Sequence, residues 1–251
     1  MFENIKSQLF GHPLTKIEDA RKRISINEQW PDGLRQLLSY PVPKLGTPID
    51  SLHYLALDFE TTGLNPLKSS ILSIGTVPLY KSKIDVEMAR HVYLNRSDGI
   101  SSESAVINHI VPEMLEGGHE LDQTMDKLFE MMRGKVVLVH GAVVEKQFID
   151  HYVQQKFGIA QLPIVWIDTL KIEKCLTYIQ HPETCSYQLT DVRLKHHLPA
   201  YPAHNALIDA ISCAELYLAQ IVNIFGHREH EIKLEEIFNK QTVPVGGNVF
   251  G

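Results

Sequence analysis

Residues 54–63 read YLALDFETTG, an apolar run of strand-forming residues that ends in two carboxylates, Asp58 and Glu60. Successive side chains of a strand alternate between its faces, so these two acids project from the same side. Two carboxylates on one face of an otherwise apolar strand repel each other and are costly to bury unless positive charge lies between them. A divalent metal ion is the usual source of that charge. Gly63 permits a backbone turn closed to other residues, and Thr61 and Thr62 offer hydroxyls and amides at the strand end, where α/β sheets tend to hold ligands. The competing reading is a strand that merely finishes in a polar turn.

Two later stretches carry acids that need a similar reason. The segment 144–157 has helical periodicity, and Phe148, Ile149, Tyr152 and Val153 follow Glu145 by three, four, seven and eight residues, which places Glu145 on the inward stripe. An acid in a helix's first turn is otherwise favoured by the macrodipole and faces water. Farther on, His204 and Asp209 stand five residues apart. In regular helix they would diverge by about 140°, given 3.6 residues per turn. His204 is therefore expected just before the helix, with Asn205 as the cap, so that its ring can swing toward the site that Asp209 faces. In isolation His204 would read as a surface loop histidine.

The elements that must bring these side chains together follow an α/β pattern. Strand composition at 71–80 and 91–94, after the first strand, predicts a three-stranded antiparallel meander. Helices are predicted over 102–108 and 121–132, and a buried parallel strand over 136–139. The Glu145 helix comes next, then a strand over 162–167 and a helix through 178 capped by Asp168. A helix or two short turns over 187–197 precede a last core helix over 203–225, with Ile208, Ile211, Leu218, Val222 and Phe225 on its buried stripe. Arg193, Lys195, His196 and His197 form a basic cluster near that helix, for which contact with a nucleic-acid backbone is one option.

Residues 51–225 thus form the expected catalytic domain. Residues 1–50 read as a helical and extended N-terminal extension. In it Thr15 caps a helix through Ile24, Arg21, Lys22 and Arg23 form a solvated face, and Pro31, Pro41, Pro43 and Pro48 punctuate an extended connector. Residues 226–251 read as a polar C-terminal tail with a short helix around Glu235.

Composition narrows the function classes. A chain of 251 residues, 44% hydrophobic and 22% charged, has room for one good-sized core. No signal-peptide core and no apolar run of membrane-spanning length is legible, so a cytoplasmic location without a membrane partner is expected. Cys175, Cys185 and Cys213 lack CxxC spacing and indicate neither a disulfide framework nor a zinc site. The net charge of −6 argues against coating nucleic acid by bulk attraction. It leaves room for an enzyme that meets a strand end through metal ions.

Taken together, DFETTG at 58–63, HGAVVEKQFI at 140–149 and HNALIDAISCAEL at 204–216 resemble the three exonuclease motifs of the DnaQ-like DEDDh family, in the same order and with fitting spacings. That family includes the proofreading subunit of bacterial DNA polymerase III. The resemblance spans roughly residues 52–225 and implies an RNase H-like α/β fold, a mixed central sheet flanked by helices, with the acids converging at one edge. It implies a catalytic set of Asp58, Glu60, Glu145, His204 and Asp209, the four acids binding metal and His204 acting as general base. Thr61, Thr62 and Leu64 match the lining of the terminal-nucleotide pocket, and His109, in INHIVPEML, resembles a substrate-side histidine. Glu145 departs from the family, which commonly has aspartate five residues after the histidine matched by His140. The added methylene moves the carboxylate.

The implied cofactors are two divalent metal ions, Mg²⁺ or Mn²⁺, hard cations suited to carboxylate ligands. The implied activity is 3′→5′ hydrolysis of single-stranded or frayed DNA to nucleoside 5′-monophosphates, with nucleic acid as partner and a replication protein as a further one. Two alternatives stay open. One is an exoribonuclease, since contacts around the 2′ position, not the acids, set the sugar. The other is a weakly active module that binds nucleic acid or a replication partner.

Overall fold

The structure, a computed structural model, describes residues 12–95, 110, 112–177, 186–226, 228 and 230–242. In chain order its elements are α1 (Pro13–Arg23), α2 (Asp32–Ser39), β1 (His53–Thr61), β2 (Ile71–Tyr80), β3 (Lys83–Ile84), β4 (Arg90–Tyr93), α3 (Pro112–Glu116) and α4 (Leu121–Met132). There follow β5 (Lys135–Val139), α5 (Val143–Phe157), β6 (Trp166–Asp168), α6 (Thr169–Thr177), α7 (Leu189–Lys195), α8 (Ala206–Phe225) and α9 (Leu234–Asn239). The sheet runs β3-β2-β1-β5-β6, with β4 also paired to β2. β1 and β2 are antiparallel, as are β2 with β3 and with β4, whereas β1, β5 and β6 are parallel. This is the mixed sheet expected.

β1 is covered on both faces, which explains why its sequence is almost continuously apolar. Leu55, Leu57 and Phe59 join Ile74, Val137 and Val139 in a core shared with α2, α4 and α5. Tyr54 and Ala56 face the other way, into a core with Val77, Leu138 and the helix α8. By strand alternation Asp58 and Glu60 belong to this second face. The acids therefore come out under the head of α8.

α8 buries a small-residue face most deeply, and of the predicted stripe Ile211, Leu218 and Phe225 pack only partly buried beside it. Ala206, Ala210, Cys213, Ala214, Tyr217 and Ile221 are buried, while Val222 is 43% exposed. Small residues win because the helix lies very close to the sheet. A Cβ placed on Gly75 of β2 would come within 2.0 Å of the Ala206 backbone. By length and composition α8 could cross a membrane, contrary to the sequence expectation. Its packing against the sheet is that of a core helix.

Other expectations are corrected by local chemistry. α1 is capped by His12, whose Nδ1 accepts from the Leu14 amide at 3.2 Å, and not by Thr15. Pro13, well suited to a first helical position, starts the helix earlier. Arg21 is not solvated: its Nε donates to the Pro163 carbonyl at 2.8 Å and its guanidinium to the Tyr40 carbonyl, and burial lowers its pKa to about 10. The strand predicted over 162–167 shrinks to Trp166–Asp168. Pro163 has no N–H to give, and the Leu162 amide goes to the Asp150 carboxylate at 2.8 Å. β3 was not anticipated, and the predicted helix 102–108 lies outside the described residues.

Half of the basic cluster around α7, Arg193 and His196, turns inward, while Lys195 and His197 stay exposed. Arg193, 2% exposed, pairs with Glu215 at 2.8 Å and donates to the Ser212 and Pro199 carbonyls, while His196 sits 2.8 Å from Glu173. These side chains anchor α7 to α8 and α6. The flanking stretches share the two cores: Leu34, Leu37 and Leu38 of α2 enter the first, and Leu234 and Ile237 of α9 enter the second. The Ile49 amide donates to the Ile232 carbonyl at 2.9 Å, joining the segment before β1 to the segment before α9.

Because α8 rests on Gly75, the variant Gly75→Ala is expected to cost about 1–3 kcal/mol through overpacking. Chemical denaturation measures this directly. An unchanged midpoint would mean the helix is not seated on that glycine.

Candidate active site

Asp58 pairs in register with Gly75, so nothing on β2 stands between it and the first turn of α8. That turn is built by its own polar residues. The Asn205 side chain caps the helix by accepting from the Ile208 amide at 3.2 Å. Asp209 Oδ2 accepts from the amides of His204 at 2.9 Å and Asn205 at 3.2 Å. His204 precedes the helix, as expected, and takes a left-handed φ of 64°. The result is that carboxylate oxygens of Asp58, Glu60 and Asp209 lie within 4.8 Å of one another.

Glu145 approaches from the other side of β1. It sits in the first turn of α5, is only 6% exposed, and has one oxygen, Oε2, without a hydrogen-bond partner. It does not join the trio within the same 4.8 Å. Its charge is nevertheless felt there. Burial, followed by the charges of Glu145, Asp209 and Glu60, raises the Asp58 pKa well above the usual carboxylate range. Burial, then Asp209 and Glu145, pushes Glu60 to about 7. Glu145 itself is pushed up to about 7 by burial, against the opposing pull of its own amide and that of Phe59, with Asp168 adding to the rise. Asp209 is raised by burial and held back by the amides of Asn205 and His204 and by the charges of His204 and Arg193.

Four carboxylates that resist ionisation, one with an orphaned buried oxygen, fit a divalent cation that takes oxygen ligands. Beside them opens a cleft of about 390 Å³ whose lining includes Asp58, Glu60, Glu145, Thr61, Thr62 and Leu64. Thr61 Oγ1 donates to the Gly63 carbonyl at 2.9 Å and Thr62 Oγ1 accepts from the Ser70 amide at 3.0 Å, so both hydroxyls shape the rim. Leu64 is 73% exposed at the same rim. His109 lies outside the described residues.

Sequence reasoning underrated Asp168. It does cap α6, its Oδ1 accepting from the Leu170 amide at 3.0 Å. The same carboxylate also accepts from the amides of Gly141 at 2.8 Å and Ala142 at 3.2 Å, in the turn before α5. A bond across 27 residues leaves no local pattern by which it could be found.

Fold and acid trio together define an α/β protein equipped for divalent-metal use. The chain belongs to the RNase T exonuclease family, whose model matches residues 55–217. It is 30% identical over 166 residues to the PolC-type DNA polymerase III of Thermotoga petrophila, a match that covers 66% of this chain and 12% of that protein. It is 24% identical over 176 residues to the DNA polymerase III subunit epsilon of Treponema pallidum, covering 68% and 77%. The chain thus spans about 12% of the length of the PolC-type relatives. Among solved structures it resembles E. coli exonuclease I in complex with a dT13 oligonucleotide, with a TM-score of 0.56 and 14% identity over 68% of this chain and 41% of that one. That likeness is one of fold, the RNase H-like exonuclease architecture.

A pH dependence follows from the raised pKa values. The folded chain holds protons on Glu60 and Glu145 between their ordinary 4.5 and about 7 that the unfolded chain has released. Their contribution to stability is therefore full below about pH 4.5 and is lost as pH rises through about 7. In chelator, thermal unfolding should show the melting temperature falling across that window. Added Mn²⁺ should restore more of it at the upper end than at the lower. A metal response equal at both ends would contradict this account.

Proposed function

We propose that the chain is a 3′→5′ exonuclease that releases nucleoside 5′-monophosphates from single-stranded or frayed DNA ends, acting in the cytoplasm beside a replicative polymerase. The observation that carries this reading is the convergence of the Asp58, Glu60 and Asp209 carboxylates within 4.8 Å at the edge of a cleft. DNA is favoured over RNA because relatives are DNA polymerase III proteins and a structural neighbour binds dT13.

Asp58, Glu60 and Asp209 would hold one ion, and Asp58 with Glu145 a second. When bound, two Mg²⁺ or Mn²⁺ ions neutralise charge on the phosphoryl group and activate the attacking water. His204 stands exposed at the head of α8, close enough for its charge to act on Asp209. It takes the proton of the attacking water as general base. Leu64 offers an apolar surface to the terminal base, and Thr61 and Thr62 keep the rim in shape.

The test is incubation of end-labelled single-stranded DNA and RNA with Mg²⁺ or Mn²⁺, with and without chelator. The expected outcome is a chelator-sensitive ladder shortening from the 3′ end of DNA. A ladder on RNA alone would favour an exoribonuclease, and no ladder on either would refute the enzyme. Asp58→Ala should abolish the activity with the circular dichroism spectrum unchanged. His204→Ala should slow turnover by about 10²- to 10⁴-fold, the usual loss of a general base.

A further inference from the structure

The turn between β5 and α5 must leave the sheet and present Glu145 one helical turn later. Gly141 in that turn has a left-handed φ of 88°, and Ala142, the N-cap of α5, has no side-chain hydrogen bond to close the helix start. Amides at a helix start need acceptors from elsewhere. They find them in one residue of the neighbouring strand. Asp168, 3% exposed at the end of β6, accepts from the Gly141 amide at 2.8 Å and the Leu170 amide at 3.0 Å through Oδ1, and from the Ala142 amide at 3.2 Å through Oδ2.

The same knot is tied from other directions. The His140 ring lies between Thr169 Oγ1 and the Tyr187 carbonyl, 2.9 Å from each. The Asp168 amide donates to Gln241 Oε1 at 2.8 Å, which brings in the chain beyond α9. Four of these bonds reach His140, Gly141 and Ala142, the residues that lead into α5, and the other two hold Asp168 itself. Glu145 then projects with Oε2 unpartnered, while its own amide and that of Phe59 act on the carboxylate.

We propose that Asp168 is a positioning residue for the nuclease reaction: by clamping the amides of Gly141 and Ala142 it aims α5 so that Glu145 completes the acid cluster. It touches neither substrate nor metal. This inference rests on the exonuclease reading above. It adds a residue whose effect must pass through Glu145.

That dependence can be measured. Asp168→Asn keeps one acceptor oxygen and replaces the other with an amide that cannot accept from Ala142. It should lower Mn²⁺ affinity or turnover by about 10- to 100-fold, the range for groups that orient metal ligands. The KM for a single-stranded oligonucleotide should stay unchanged. In the Glu145→Ala background the same substitution should cause no further loss, because residues acting as one unit are not additive. Ala142→Pro, at a φ of −52° that proline tolerates, removes the same bond from the donor side and serves if Asp168→Asn folds poorly. Mn²⁺ affinity is read with the metal alone, by paramagnetic resonance and by thermal shift.

Losses that multiply in the double variant, or wild-type Mn²⁺ affinity and turnover in Asp168→Asn, would overturn the inference and leave the exonuclease reading standing. A wild-type protein that neither cleaves nor binds Mn²⁺ would overturn both.

Discussion

Four carboxylates drawn from distant parts of the chain repel one another where little water reaches, and the rest of the fold exists against that repulsion. Two unit charges 4 Å apart at an effective dielectric near 20 differ from isolated ones by on the order of 4 kcal/mol. No single element could impose such a cluster. Asp58 and Glu60 come from the central strand, which borders both apolar cores, Asp209 from a helix packed in the second core and Glu145 from a helix packed in the first. A cation bound there would relieve the repulsion that packing sustains.

The packing behind the cluster shows how this is done. α8 can approach β2 because Gly75 has no side chain and because its own buried face is mostly alanine, cysteine and tyrosine. Tyr217 on that face donates to the Tyr54 hydroxyl at 3.2 Å, and Tyr54 in turn donates to the Ile49 carbonyl at 2.8 Å. This chain of hydroxyls ties the helix to the strand that carries Asp58. On the far side of α8, Arg193 is buried with Glu215, and its positive charge helps hold the Asp209 pKa down. A residue suited by type to contact phosphate is spent instead on the interior field.

What could be read from the residues follows from how local each determinant is. Strand alternation is a local rule, and it put Asp58 and Glu60 on one face correctly. Helical periodicity found the buried position of Glu145, and the five-residue gap between His204 and Asp209 was enough to place the histidine outside α8. The α8 stripe was partly misjudged because hydrophobicity ranks isoleucine above alanine, whereas the spacing of helix and sheet, set by Gly75, ranks them the other way. The hairpin between β2 and β3 went unseen because its turn residues, Lys81 and Ser82, adopt φ of 48° and 57° without the glycine or asparagine that normally signals such a turn. Arg193 and His196 looked like a surface cluster because their acidic partners are distant in sequence: Glu215 and Glu173 lie 22 and 23 residues away.

The margins of the sheet are brief. β6 has three residues and its last amide is already taken by Gln241, while at the opposite margin β2 is flanked by the two-residue β3 and the four-residue β4. Exposed strand borders are templates for unwanted pairing between copies, and short, occupied borders give such pairing little to grip. The layout that delivers charge to the centre thereby also discourages self-association at the periphery.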